Sequence, residues 1–334
     1  MEGFPMLRSH LFRRTAALAA AVVITVSPFF ISPASAALLV YDPFAVGAGP
    51  ADYTAGDEDA GTNPLGGQNP ATGPTAFYSG AWVQSGGDAQ AVKDIGSLAY
   101  PLFPSSGGQI QETLQFSCCT FGRTGRPIAG GLGGGLDPLT LYQSFLIDFG
   151  TQGTDTVTDF GKRGYEMWNG GVGDSFLAVD LFVNHFSGVN ELTLAVTTDS
   201  GTDSMLVDGG GLTLEALAGV HLVVLRFDFN PIDADVLTLY LDPTDSIEPI
   251  ASNASLSVAA SDLFVTHHGA ITQFTFSGAG HLPGAFDELR WGETYADVTP
   301  FLRAEVPEPI SLSLLALGLL GIALARRQRR LARV

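Results

Sequence analysis

Three tryptophans, several acidic turns and a few histidines carry whatever chemistry this sequence can do. Trp82, Trp168 and Trp291 have flat apolar faces on which a pyranose ring could stack, and Tyr78 and Tyr165 stand near two of them. Tryptophan is also a mostly buried residue type, so each is equally a natural core residue. Asp228, Asn230, Asp233 and Asp235 gather oxygens around one turn, with smaller acidic groups at 57–59 and at Asp199 with Asp203. A hard cation takes six to eight such oxygens from flexible loops, so calcium is the ion that this pattern suits. The alternative is a solvated turn stabilised by Asx geometry. No other cofactor is called for.

Patterns for covalent or acid–base catalysis are missing. No G-x-S-x-G accompanies His185, His221, His267, His268 or His281, and no H-E-x-x-H offers zinc a site. Asp287 and Glu288 are consecutive, so on a regular strand they project to opposite faces and cannot act as a pair. That alternation puts Glu288 on one face with Phe286 and Arg290. The adjacent Cys118 and Cys119 form neither a C-x-x-C nor two ligand pairs, which leaves a loop feature or a surface redox switch. The glycine-rich 129–136 lacks the Lys-Ser/Thr of a phosphate loop and reads as a flexible hairpin connection. The chain is expected not to be an enzyme.

The elements that would hold these residues are strands. Period-two patterns or short apolar runs mark 38–41, 109–116, 141–149, 164–168, 176–182, 192–197, 220–229, 236–241, 255–264 and 273–277. NPIDAD (230–235) separates two of them and predicts a hairpin. The one stretch read as a helical turn is 212–219. Many short strands between Gly, Pro and Asp turns predict an all-β jelly-roll sandwich. No fixed-period repeat is present, which disfavours propellers and solenoids.

Both ends read as targeting segments. Arg8, Arg13 and Arg14, the apolar 15–31 and Ala34-Ser35-Ala36 compose a signal peptide over 1–36, with signal peptidase cutting after Ala36. At the other end Val306-Pro307-Glu308-Pro309 precedes the apolar run 310–325 and then Arg326, Arg327, Arg329 and Arg330. Sixteen residues of helix reach roughly 24 Å, enough to span a bilayer with local thinning, and the arginines stop it on the cytoplasmic side. This order of parts over 305–334 resembles the PEP-CTERM sorting signal of Gram-negative bacteria. The resemblance implies recognition by an exosortase in the inner membrane and display at the cell surface or in extracellular matrix.

The formal net charge is −18, and the stretch 37–304, with 8 basic against 31 acidic residues, carries −23. Such a surface repels nucleic acid and anionic lipid, and it admits neutral glycans, divalent cations and cationic partners.

Within 37–304, LLVYDPF (38–44) with Gly67-Gln68-Asn69 and Ser79-Gly80-Ala81-Trp82 is similar to the entry of concanavalin A-like, LamG-like domains. LVVLRFDFNPIDADVLTLYLDP (222–243) resembles their central hairpin, and FDELRWG (286–292) with TYADVTP their closing strand. Hydrolases of this fold carry Glu-x-Asp-x-x-Glu on one strand, a pattern absent from this sequence. The resemblance therefore implies a non-catalytic carbohydrate-binding or adhesion module associated with exopolysaccharide. The alternatives are a structural matrix or biofilm component without a specific ligand, and behind it a glycan-active enzyme.

Overall fold

In the computed structural model the described residues run from 38 to 302, with Gly318 beyond. Outside the description lie 57–62, 71–76, 86–89, 113–120, 133–138, 149–160, 170–175, 187–188, 198–202, 208–218, 231–234, 251–255, 261–270 and 281–284. The described chain is all-β, two antiparallel sheets packed as a jelly-roll, concanavalin A-like sandwich.

The first sheet holds β1 (Leu38–Asp42), β3 (Gln90–Lys93), β4 (Gln109–Glu112) and β6 (Leu139–Asp148). It continues through β11 (Val220–Phe229), β12 (Asp235–Leu241), β13 (Leu256–Ala260) and β15 (Ala285–Gly292). Its order is β13-β12-β11-β6-β15-β4-β3, and β1 also pairs with β15. The second sheet contains β2 (Val83–Ser85), β5 (Phe121–Leu132), β7 (Gly161–Asn169) and β8 (Phe176–Phe186). It is completed by β9 (Val189–Thr197), β10 (Asp203–Val207) and β14 (Ile271–Gly280), in the order β10-β9-β8-β7-β14-β5-β2.

Period-two side chains explain the core. On β11, Val223, Leu225, Phe227 and Phe229 face the second sheet, where Tyr165, Met167, Phe274 and Phe276 meet them in one apolar cluster. The opposite face of the same strand presents Leu222 and Val224 to a smaller cluster. That second cluster lies under the loop bearing Leu98 and Phe103 and under 295–301. VHLVVLRFDF is therefore apolar on both faces over its first half and turns polar, at Arg226 and Asp228, where the cover ends.

The expected hairpin forms: β11 and β12 pair antiparallel from Val223↔Leu241 to Asp228↔Val236. Two expectations change. The glycine-rich stretch is not simply a connection, because 129–132 continues β5, with Gly130 and Gly131 at φ 75° and 73°. A short helix, α1 (Tyr295–Val298), also forms within TYADVTP, which the resemblance grouped with the closing strand. Thr294 caps it, accepting the Asp297 N–H while Asp297 accepts the Thr294 N–H. The helical turn expected at 212–219 lies, but for Gly219, outside the described residues.

Candidate functional site

Beyond β12 the chain leaves the first sheet at Asp242, whose φ of 54° is left-handed, a conformation Asp tolerates better than most residues. The Asp242 carboxylate fixes that exit. It accepts the Leu222 N–H at 3.0 Å and lies 2.7 Å from His221 Nδ1. Tyr100 donates to the Pro243 carbonyl at 3.2 Å and Ser246 donates to the Thr299 carbonyl, so the loop is tied to the cover of the sheet. Glu248 then returns over the outer face. It accepts Tyr142 at 2.9 Å, Tyr240 at 2.8 Å and Arg226 Nη1 at 2.8 Å.

Between this loop and Tyr240 opens a cleft of about 410 Å³. Asp242, Thr244, Asp245 and Glu248 supply its polar lining, and Ile247, 69% exposed, its apolar rim. Burial and then the Glu248 carboxylate push the Tyr240 phenol up to about 12, and the same two causes raise that of Tyr142. Both phenols therefore stay protonated and donate to the Glu248 carboxyl. The arrangement can bond hydroxyl or ammonium groups beside an apolar surface, and it contains no positioned nucleophile.

A second cluster corrects the sequence reading. Asp287 and Glu288 do not point to opposite faces. Along β15 the register slips between Asp287 and Arg290, and Glu288 takes φ 54°. This bulge turns Phe286, Leu289 and Trp291 into the main core and leaves Asp287, Glu288 and Arg290 together on the outer face. The two carboxylates converge on one hydroxyl, since Ser97 Oγ bonds Asp287 Oδ2 and lies 3.4 Å from Glu288 Oε1. Asp287 also accepts the Leu98 N–H at 2.8 Å. Glu288 accepts the Ser106 N–H at 2.5 Å and Arg290 Nη2 at 2.8 Å. Arg290 in turn stacks on Tyr41, 4.0 Å from its ring centre. Burial pushes the Asp287 carboxyl up to about 8, with the Glu288 charge adding to the rise and the Ser97 and backbone hydrogen bonds opposing it. Burial raises Glu288 as well, against the Ser106 N–H and Arg290. Both carboxylates are fully buried under the 97–106 loop. The pair staples that loop to β15.

Trp82 and Trp291 are core residues, 1% and 0% exposed, so neither presents a face to a glycan. Trp82 Nε1 donates to Tyr53 Oη at 3.0 Å, and Tyr53 donates to Asp42 at 2.5 Å, beside the buried Arg126. Trp291 packs among Phe77, Phe227 and Phe274. Trp168 pairs with Gln273 in β7, and its side chain lies outside the description. Of the calcium candidates, Asp228 ion-pairs with Arg226 at 2.8 Å and accepts Thr140 at 2.7 Å. Asp235 accepts the Asn230 N–H at 2.7 Å and so closes the hairpin turn. Asp233 lies outside the described residues, as do Ala34, Ala36, the cysteines, the 306–309 motif and the basic tail. Among the described residues no group of three His, Cys, Asp or Glu side chains is placed to hold a metal, and no helix is long and apolar enough to cross a membrane.

Residues 305–330 match the PEP-CTERM protein-sorting motif. The chain is thus an exported protein, transiently anchored in the membrane and processed by an exosortase during export. Among curated proteins none matches it. Solved structures similar to it include an endo-β-1,4-glucuronan lyase from the fungus Trichoderma reesei, at 11% identity and TM-score 0.43 over 63% of this chain and 90% of that one. An endo-1,3-β-glucanase from Streptomyces sioyaensis is similar at 12% identity and TM-score 0.42, over 78% of this chain and 97% of its own. The botulinum neurotoxin serotype G binding domain is similar at 8% and 0.41, over 71% and 49%. Likeness this distant says nothing of substrate or chemistry.

Proposed function

We propose that the sandwich, a LamG-like domain, is a non-catalytic carbohydrate-binding module serving adhesion at the cell surface or in an exopolysaccharide matrix, with the 240–249 cleft as its contact surface. The observation that carries this reading is the pairing in one cleft of the Glu248 carboxyl, held in place by Tyr142, Tyr240 and Arg226, with the exposed Ile247. Sugar recognition uses such fixed polar groups beside an apolar face. The reading is non-catalytic because the convergent pair Asp287 and Glu288 is sealed from any glycan by the 97–106 loop.

The test is titration of the full-length protein in detergent against a panel of bacterial and algal polysaccharides. Saturable binding to one class, lost in Ile247→Asp with the fold retained, is the expected result. Absence of binding across the panel overturns the reading. It would favour a structural matrix component acting through bulk charge, for which the net −23 of 37–304 is the supporting observation.

A further inference from the structure

An exposed apolar surface stands where the sandwich ends. The loop between β3 and β4 carries Leu98-Ala99-Tyr100-Pro101-Leu102-Phe103-Pro104, and neither this run nor 298–302 contains a charged residue, within a stretch whose net charge is −23. Ala99, Pro101 and Leu102 are exposed, Leu102 to 64%, and Leu302 is exposed to 60%. The Leu302 N–H donates to the Leu102 carbonyl at 2.8 Å, so the two leucines are neighbours. Leu102 also takes φ 60°, a left-handed conformation that strains a bulky residue. Strain of this kind persists only where the surroundings impose it, and here the frame is firm. Phe103 and Phe301 are buried and meet edge-on at 5.6 Å. Arg290 Nη2 donates to the Pro104 carbonyl at 3.2 Å, while Asp287 and Glu288 hold the two ends of the loop. Glycine would make this turn without strain. A leucine kept there on a rigid base presents apolar surface that no described residue covers.

We propose that this surface rests on the lipid bilayer while the sorting tail is anchored, so that the sandwich stands on the membrane in one orientation through Leu102 and Leu302. The position of the tail names the occupant. Only Arg303 and Ala304 separate Leu302 from the sorting motif matched over 305–330, and the apolar run 310–325 begins after 303–309. Fully extended, the chain from Leu302 to Ile310 spans at most about 30 Å, so the two leucines stay close to the bilayer once that run is in the membrane. A tether makes docking intramolecular. Two aliphatic side chains are too few to hold a free protein on lipid, but they bias the orientation of a tethered one. The missing charge fits the same occupant, because the acidic surface elsewhere on 37–304 is repelled by anionic headgroups and this tip is not. Removal of the tail removes the tether, and with it the contact.

The experiment places the full-length protein in phosphatidylcholine vesicles, with ordinary or with brominated acyl chains, and reads tryptophan fluorescence. Bromine quenches an indole that reaches the acyl region. Leu102→Trp and, separately, Leu302→Trp are expected to lose fluorescence in the brominated vesicles beyond the loss of the wild type. Val83→Trp, at an exposed position on the other sheet, is expected to match the wild type. Leu102→Gly suits the φ of 60° and keeps the fold, and in that background the quenching of Leu302→Trp diminishes. If Leu102→Trp does not fold, Leu302→Trp decides alone. Quenching of the leucine variants no greater than that of the wild type overturns the proposal. Equal quenching of Val83→Trp also overturns it, because it marks indiscriminate contact. Emission from Leu302→Trp that moves to the blue as chains per vesicle increase, without quenching by bromine, assigns the surface to a second copy and overturns the bilayer.

Discussion

Replacing Asp287 by Asn should flatten the pH dependence of stability. Asp287 is fully buried and its carboxyl is pushed up to about 8, from an ordinary value near 3.8. Between those values the folded protein holds a proton there that the unfolded chain has released. Stability from this group is fully present below about pH 4, falls by about 1.4 kcal/mol per pH unit through the window, and is gone above about pH 8. Over the whole window the loss is on the order of 5 kcal/mol. The asparagine amide keeps an oxygen for the Glu288 N–H and cannot ionise. Urea unfolding followed by tryptophan fluorescence, at several pH values across the window, gives the two slopes. The wild type should lose stability with rising pH more steeply than Asp287→Asn by about 1.4 kcal/mol per unit. Identical slopes would refute the argument, because they would mean that Asp287 ionises as readily folded as unfolded.

Other outcomes follow from the same geometry. Trp82→Phe removes the indole N–H that bonds Tyr53 and should cost about 1–3 kcal/mol in chemical denaturation, while glycan binding by the folded fraction is unchanged. In Gly125→Ala the new methyl would meet the Phe274 carbonyl at 2.5 Å and collide with Thr275; destabilisation of about 2 kcal/mol or more, read as a lower unfolding midpoint, is expected. Glu308→Ala in the sorting motif should leave the uncut protein in the membrane fraction, which immunoblotting of fractionated cells detects by mass and location.

Some of this structure was legible in the amino-acid order and some was not. The β11–β12 hairpin was, because two apolar runs flank NPIDAD, a cluster of turn-forming residue types. β5 was not: FGRTGRPIAGGL has no alternation and only Thr124 and Ile128 as β-branched residues, and its strand character comes from pairing with β14 along most of its length. The capping box of α1 was visible as Thr-x-x-Asp at 294–297, but four residues carry no period to confirm a helix. The bulge in β15 also left a trace. Its apolar residues stand at 286, 289 and 291, a step of three and then of two, where a regular strand repeats every two. Reading that stretch as regular alternation misplaced Glu288. The cleft could not be read at all. Tyr142 and Glu248 are 106 residues apart, and only the packing of β6, β11 and β12 makes them neighbours.

The pairing of β1 with β15 has a bearing on the order of events in export. Leu38 opposes Gly292, so the first and the last of the described strands are partners about 250 residues apart. Contacts of such long sequence separation form late and fold slowly, because a large loop must close before they stabilise anything. A chain delivered amino end first keeps β1 without its partner until the final strand arrives. That strand comes about a dozen residues ahead of the sorting motif. Closure of the sandwich and arrival of the tail at the membrane thus fall almost together, and a truncation anywhere before 285 leaves an open, protease-sensitive sheet with nothing to anchor it.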